Sequence, residues 1–167
     1  MNPVSGASRP PVSLPCAEDF FGIDLVKSIM KKPLRDRPLW ATDERSVREA
    51  VDDFRRFFYL MATHPGENLV PTVTQDDVWH AFLMHPVAYH EACIRHCGTL
   101  IDHDGGFGLT DDERPVLEDY KRVTMRLWET VFGFPHPSDP RSPARACCST
   151  CAPCATGRLT EVGISVS

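Results

Sequence analysis

The chain has no long hydrophobic run and no excess of positive charge. No stretch of its 167 residues approaches the roughly 18 consecutive apolar residues of a membrane-spanning helix. Its first residues are polar and rich in proline, without the apolar segment of a secretory signal. The formal net charge of −5 is unlike that of a general nucleic-acid binder, which usually has a basic face. The sequence therefore predicts a cytoplasmic protein that binds neither membranes nor nucleic acid.

The motifs of the common reaction classes are also missing from the sequence. It contains no GxSxG nucleophile elbow, no Walker loop, no GxGxxG fingerprint and no HExxH zinc motif. It has no alternation of polar and apolar residues typical of strands, and no internal repeat. These absences leave open whether the protein is an enzyme.

Apolar residues recur at helical spacing through most of the chain, which predicts an all-α fold. We expect a compact bundle of about five helices. They should begin near Ala17, Ser46, Thr74, Pro86 and Thr110.

Capping residues and periodicity give finer predictions for these helices. The segment from residue 17 to 32 is predicted to be one amphipathic helix, and Thr42 or Asp43 is predicted to cap the second helix. Thr74 should cap the third helix, and Gly98 should end the fourth. The expected core stripe of the last helix is Val116, Tyr120, Val123, Leu127 and Val131.

Composition divides the chain into three parts. Residues 1–16 are rich in proline, serine and glycine and are predicted to be a disordered leader. Residues 17–135 should form the helical domain. Residues 136–167 should form a proline-rich linker followed by a cysteine-rich tail.

Histidine and cysteine are concentrated between Asp76 and Asp104. This stretch contains five of the seven histidines and two of the seven cysteines. Imidazole and thiolate groups are ligands for transition metals such as zinc, iron and copper. Residues four apart share one face of a helix, so an acid at Asp76 or Asp77 lies beside His80. A bend at Pro86 would turn the following helix back onto this one.

Such a bend predicts a three-ligand metal site made of His80, Cys93 and His103, with an open coordination position. His85 is a possible fourth ligand, which would close the site and make it structural. Three residues are expected to support the ligands from outside: Asp77, Tyr89 and Asp104.

Three functions are compatible with this pattern. The first is a small soluble protein that binds a transition metal through histidine and cysteine. The second is a metalloenzyme that uses iron, copper or zinc and acts on a small molecule or peptide. The third is a metal-free interaction module in which the histidines and cysteines only pack. The partner is accordingly an unknown small molecule or protein.

The stretch PTVTQDDVWHAFLMHPVAYHEACIRHCGTLIDHD resembles the signature of the glycine-rich domain-containing protein-like family. The matching positions are Pro71, Asp77, Trp79, His80, Tyr89, Cys93, Gly98 and His103. With its flanks, the resemblance covers about residues 17 to 140. Many members have a second histidine where this chain has Phe82, but His80, Cys93 and His103 are retained. The resemblance implies the fold and the site rather than a reaction.

The tail contains a second group of potential ligands. Cys147, Cys148, Cys151 and Cys154 form a CCxxCxxC run. Paired CxxC spacing can hold zinc or an iron–sulfur cluster, although this run is too short to wrap one metal easily. The alternative is a disordered tail with reduced thiols.

Overall fold

Six α-helices make up the fold in the part of the chain that the computed structural model describes, residues 12–104, 110–138 and 155–156. The helices are α1 (Ala17–Phe21), α2 (Leu25–Met30), α3 (Glu44–Thr63), α4 (Val73–Leu83), α5 (Pro86–Cys97) and α6 (Arg114–Phe132). A single 3-10 turn covers Leu34–Asp36. Two short strands, β1 (His103–Asp104) and β2 (Ala155–Thr156), pair antiparallel. The prediction of an all-α fold is confirmed.

The first predicted helix is divided into two at Gly22. This glycine has φ +74°, a left-handed conformation that ends α1. The chain then turns, and the Asp24 side chain accepts a hydrogen bond from the Lys27 N–H at 2.8 Å to start α2. The prediction of one continuous helix over residues 17–32 was therefore wrong. The helical spacing of apolar residues continues across Gly22, although the helix itself ends there.

Helix α3 is the centre of the bundle and packs against α1, α2, α4, α5 and α6. Asp43 caps it by accepting a hydrogen bond from the Ser46 N–H at 2.8 Å, which settles the choice between Thr42 and Asp43. Its buried face includes three phenylalanines. Phe54, Phe57 and Phe58 are fully buried there. This aromatic face is the surface against which α4 packs.

Helices α4 and α5 form a tight helical hairpin around Pro86. Thr72, rather than the predicted Thr74, caps α4, and it exchanges hydrogen bonds with Gln75 in a capping box. Pro86 is the first residue of α5, where its missing N–H costs nothing. Gly98, at φ +73°, ends α5 as predicted. The two helices therefore follow each other with two residues between them, and the chain after α5 returns to α4.

Helix α6 packs on α3 through a face one residue away from the predicted one. Its buried residues are Leu117, Thr124, Trp128 and Phe132. Val116 is instead 40% exposed. The Thr124 hydroxyl accepts a hydrogen bond from the Val70 N–H at 2.9 Å, which ties α6 to the buried segment before α4. Val123, Leu127 and Val131 of the predicted stripe are partly buried against the core, whereas Val116 is not. The prediction was therefore wrong in part, because an amphipathic helix has two neighbouring apolar stripes, and packing selects between them.

No helix among the described residues is long and apolar enough to cross a membrane. Most of the predicted leader and tail lies outside the described residues. The same is true of the tail cysteines Cys147, Cys148, Cys151 and Cys154, so the possible second metal site stays a prediction.

Candidate metal site

Two polar side chains of the candidate site come from one face of α4. Asp76 lies in the first turn of the helix and His80 lies one turn later. The Asp76 Oδ2 and His80 Nδ1 atoms are 3.6 Å apart. The Asp76 side chain is 12% exposed and the His80 side chain is 53% exposed. The pair therefore combines a largely buried carboxylate with an imidazole that reaches the surface.

The third side chain of the site, His103, arrives from the segment that follows α5. Its Nε2 atom lies 2.9 Å from His80 Nε2 and 3.1 Å from Asp76 Oδ1. One ligand atom from each of the three residues lies within 4.8 Å of the other two. His103, which is the first residue of β1 and lies 23 positions from His80, thus completes a group of two imidazoles and one carboxylate.

The spacing of these atoms is close to what one metal ion requires. Nitrogen and oxygen ligands that bind zinc tetrahedrally at roughly 2.0–2.1 Å lie about 3.3 Å from one another. The distances from His103 Nε2 to the other two ligand atoms, 2.9 and 3.1 Å, are slightly shorter. All the ligand atoms of the group lie within 4.8 Å of one another.

A chain of buried contacts holds the His103 ring in place. The ring stacks on the Trp79 indole, with centroids 4.2 Å apart and planes 11° from parallel. The Trp79 Nε1–H donates to the Tyr89 hydroxyl at 3.2 Å, and that hydroxyl donates to the Ile101 carbonyl at 2.6 Å. The backbone N–H of His103 donates to Asp102 Oδ1. Because Trp79 is fully buried, the imidazole rests on a rigid surface.

Cys93, the third ligand predicted from the sequence, occupies a different environment. It is fully buried in the hydrophobic core and interacts with the Tyr89 hydroxyl and the backbone of Ile101. Burial raises the pKa of its thiol, and burial also raises the pKa of Cys97 to about 12. Of the three predicted ligands, the structure brings His80 and His103 together with Asp76, and Cys93 is not part of that group.

Two of the remaining predicted residues contact groups outside the site. His85 Nε2 lies 2.7 Å from the Ser28 hydroxyl of α2. Asp77 Oδ2 accepts a hydrogen bond from the Trp40 indole at 2.8 Å. The Tyr89 hydroxyl accepts a hydrogen bond from Trp79, and Trp79 stacks on His103. Asp104 lies beside His103 in β1. Their proposed support of a metal stays a prediction.

Asp76 is the residue that the predicted ligand set did not include. Its signal is present in the sequence, since Asp76 and His80 have the four-residue spacing that places two side chains on one helix face. Because Asp76 and Asp77 are adjacent, the sequence did not show which of them lies beside His80. The structure resolves this ambiguity, because Asp76 faces the two histidines and Asp77 faces Trp40.

A cleft of about 350 Å³ opens beside His103. Its lining consists of Leu83, Pro86, Tyr89, His90, Leu100, Ile101, Asp102 and His103. Most of these walls are apolar, and the polar groups are few. The cleft and the three-residue group share His103.

Two curated proteins of Arabidopsis thaliana are similar to this chain. Glycine-rich domain-containing protein 1 is 31% identical over 94 residues, and glycine-rich domain-containing protein 2 is 28% identical over 94 residues. The resemblance to the glycine-rich domain-containing protein-like family is confirmed. Each match covers 52% of this chain and 11% of the relative. The chain therefore spans about a tenth of the length of these glycine-rich domain-containing relatives.

No protein-family model matches the chain, and no solved structure matches it significantly. The names of the glycine-rich domain-containing relatives state no metal, substrate or reaction. The function must therefore be argued from the geometry of the site.

Proposed function

We propose that this protein binds a divalent transition metal through Asp76, His80 and His103. The observation that carries the proposal is the convergence of three potential ligand atoms. His103 Nε2 lies 2.9 Å from His80 Nε2 and 3.1 Å from Asp76 Oδ1. In this proposal Asp76 replaces Cys93 of the predicted ligand set. Two histidines and one carboxylate are ligands of catalytic zinc and of non-haem iron, and imidazole also binds copper.

A metal ion would engage the three side chains together. A hydrogen bond from His103 Nε2–H would be shared between His80 Nε2 and Asp76 Oδ1, which lie 2.9 and 3.1 Å away. A divalent cation accepts all three lone pairs at once and also neutralises the carboxylate. His103 would then be a preorganised ligand, because its ring is stacked on Trp79 and largely buried.

Three protein ligands leave at least one coordination position for an exchangeable molecule, as in catalytic zinc sites. The apolar cleft that shares His103 favours metal-dependent chemistry on a small molecule as the second candidate function. We also propose that the protein works in the cytoplasm. The free state of the described cysteines Cys16, Cys93 and Cys97 is compatible with a reducing compartment.

Metal titration followed by elemental analysis tests the proposal. The untagged full chain should bind one equivalent of zinc, iron(II) or copper. His103→Ala and Asp76→Asn should each weaken this binding by more than the roughly 10–100-fold that loss of a supporting residue costs. His90→Ala is the matched control, because His90 is an exposed histidine outside the group. It should bind metal as the wild type does.

Three results would contradict the proposed ligand set. Loss of metal in Cys93→Ala with a retained fold would restore the cysteine ligand that the sequence predicted. Loss of metal only when Cys147, Cys148, Cys151 and Cys154 are replaced would place the site in the tail. Absence of metal binding in the folded wild type would leave a metal-free interaction module as the function.

A further inference from the structure

We infer that the cleft beside His103 binds a small, neutral molecule with an apolar body and a nitrogen or oxygen donor that coordinates the metal. This inference rests on the proposed metal site and names the class of molecule that would occupy its open position.

The size and lining of the cleft indicate a small organic ligand. Small-molecule sites in proteins usually have volumes of roughly 300–1,000 Å³ and are lined mainly by apolar side chains with a few polar groups. This cleft, at about 350 Å³, is at the lower end of that range. Its apolar walls are Leu83, Pro86, Leu100 and Ile101. They suit a ring or a short hydrocarbon body rather than a peptide.

The part of the cleft wall formed by Tyr89, Ile101 and His103 is already ordered. The Tyr89 hydroxyl is held between the Trp79 indole and the Ile101 carbonyl, and the same indole supports His103. The hydrogen bonds of this wall are therefore satisfied within the protein, and little ordering is needed when a ligand enters. The binding energy must then come from apolar contact and from coordination.

Charge decides the nature of the donor group. A divalent metal with one carboxylate ligand has a net charge of about +1, which allows a neutral or an anionic donor at the open position. The cleft, however, is also lined by the exposed carboxylate of Asp102. Asp102 repels an anion that enters the cleft, so we choose a neutral donor for the proposed molecule.

A second cleft, of about 330 Å³, lacks these features. Its lining includes Arg48, Asp52 and Arg55. These charges are already paired, since Arg48 contacts Glu44 at 2.5 Å and Arg55 contacts Asp52 at 3.1 Å. It contains no residue of the three-ligand group.

Cobalt(II) spectroscopy with a pair of probes tests the inference. Cobalt(II) replaces the unknown metal, and its visible absorption reports coordination. The full chain is used with Cys147, Cys148, Cys151 and Cys154 replaced by serine, so that tail thiolates do not contribute. Imidazole and 4-phenylimidazole carry the same neutral donor and differ in the apolar ring. The phenyl compound should change the spectrum at a concentration at least about tenfold lower, because its ring is buried in the cleft.

Substitution of a cleft wall separates this effect from coordination itself. Leu100→Trp should fill the cleft and abolish the preference for 4-phenylimidazole, while cobalt(II) binding is retained. Val116→Trp, on the exposed surface of α6, is the control and should keep the preference.

The two hypotheses fail in different ways. If cobalt(II) binds and is lost in His103→Ala, but both probes act at the same concentration, the inference about the cleft is overturned and the metal site stands. If Leu100→Trp binds cobalt(II) and keeps the preference, the phenyl ring lies elsewhere and the inference is again overturned. If cobalt(II) does not bind the folded protein, the proposed function itself fails.

Discussion

Trp79 and His80 are adjacent in the sequence, but their side chains serve the candidate site from opposite sides. Trp79 points into the core, where it is fully buried, and its indole supports His103. His80 points outwards and contacts the Nε2 edge of the same imidazole, whose face stacks on Trp79. Successive residues of a helix are about 100° apart, so one dipeptide can supply both the support and a ligand. This arrangement gives the Trp-His pair a physical role in the site.

At the residue scale, Asp53 makes the stability of the fold depend on pH. Burial raises the pKa of its carboxyl group to about 6 despite the nearby guanidinium of Arg56. Between pH 3.8 and 6 the folded protein therefore holds a proton that the unfolded chain has released, so the free energy of unfolding falls as pH rises. A shift of about two pKa units corresponds to at most about 3 kcal/mol.

Urea denaturation between pH 4 and 7 measures this contribution. Relative to Asp53→Asn, the wild type should lose up to about 3 kcal/mol of unfolding free energy across this range. Asp52→Asn, which changes the neighbouring acid, should keep most of the wild-type slope. Parallel pH profiles for wild type and Asp53→Asn would contradict the prediction.

At the scale of elements, Gly22 determines where α1 ends and α2 begins. An added Cβ would lie 3.7 Å from Arg95 Nη2, an ordinary contact distance, so space is not the constraint. The constraint is φ +74°, where an L-residue with a side chain is strained. Gly22→Ala should therefore lower the free energy of unfolding by about 1–2 kcal/mol in chemical denaturation.

Gly66→Ala is the matched control for this substitution. Gly66 has no positive φ, and nothing lies within 4 Å of its added Cβ. Its replacement should leave stability unchanged or raise it slightly, because alanine restricts the unfolded chain. Equal losses in the two variants would show that the backbone conformation of Gly22 is not the cause.

The elements were predictable from the sequence where one signal dominated. In α3 the helical period selects a single face, whose residues Val47, Val51, Phe54 and Phe58 are all buried. In α5 proline and glycine mark both ends. In α6 two adjacent stripes compete, and the choice of Leu117 over Val116 depends on contact with α3, which local spacing does not specify.

At the scale of the whole molecule, the candidate site depends on how distant segments meet. The sequence indicated His80 and His103 as partners, and the structure places their Nε2 atoms 2.9 Å apart. The sequence did not show whether Asp76 or Asp77 faces the histidines, or whether Cys93 is a metal ligand or a core residue. Both outcomes depend on the packing of α5 against α4. The stacking of Trp79 on His103 was equally unpredictable from local helical spacing, because it joins two distant segments.

Because the proposed site joins α4 to the segment after α5, metal binding should stabilise the entire fold. A ligand that binds only the folded state at 100 times its dissociation constant adds about 2.7 kcal/mol to the free energy of unfolding. The tail cysteines should be replaced by serine, because thiolates of an unfolded chain also bind metal and reduce the effect. Thermal unfolding with and without metal should then show a rise in the midpoint that a chelator reverses. The rise should persist in His90→Ala and disappear in His103→Ala, whereas an equal rise in both would show that the metal stabilises the fold from another place.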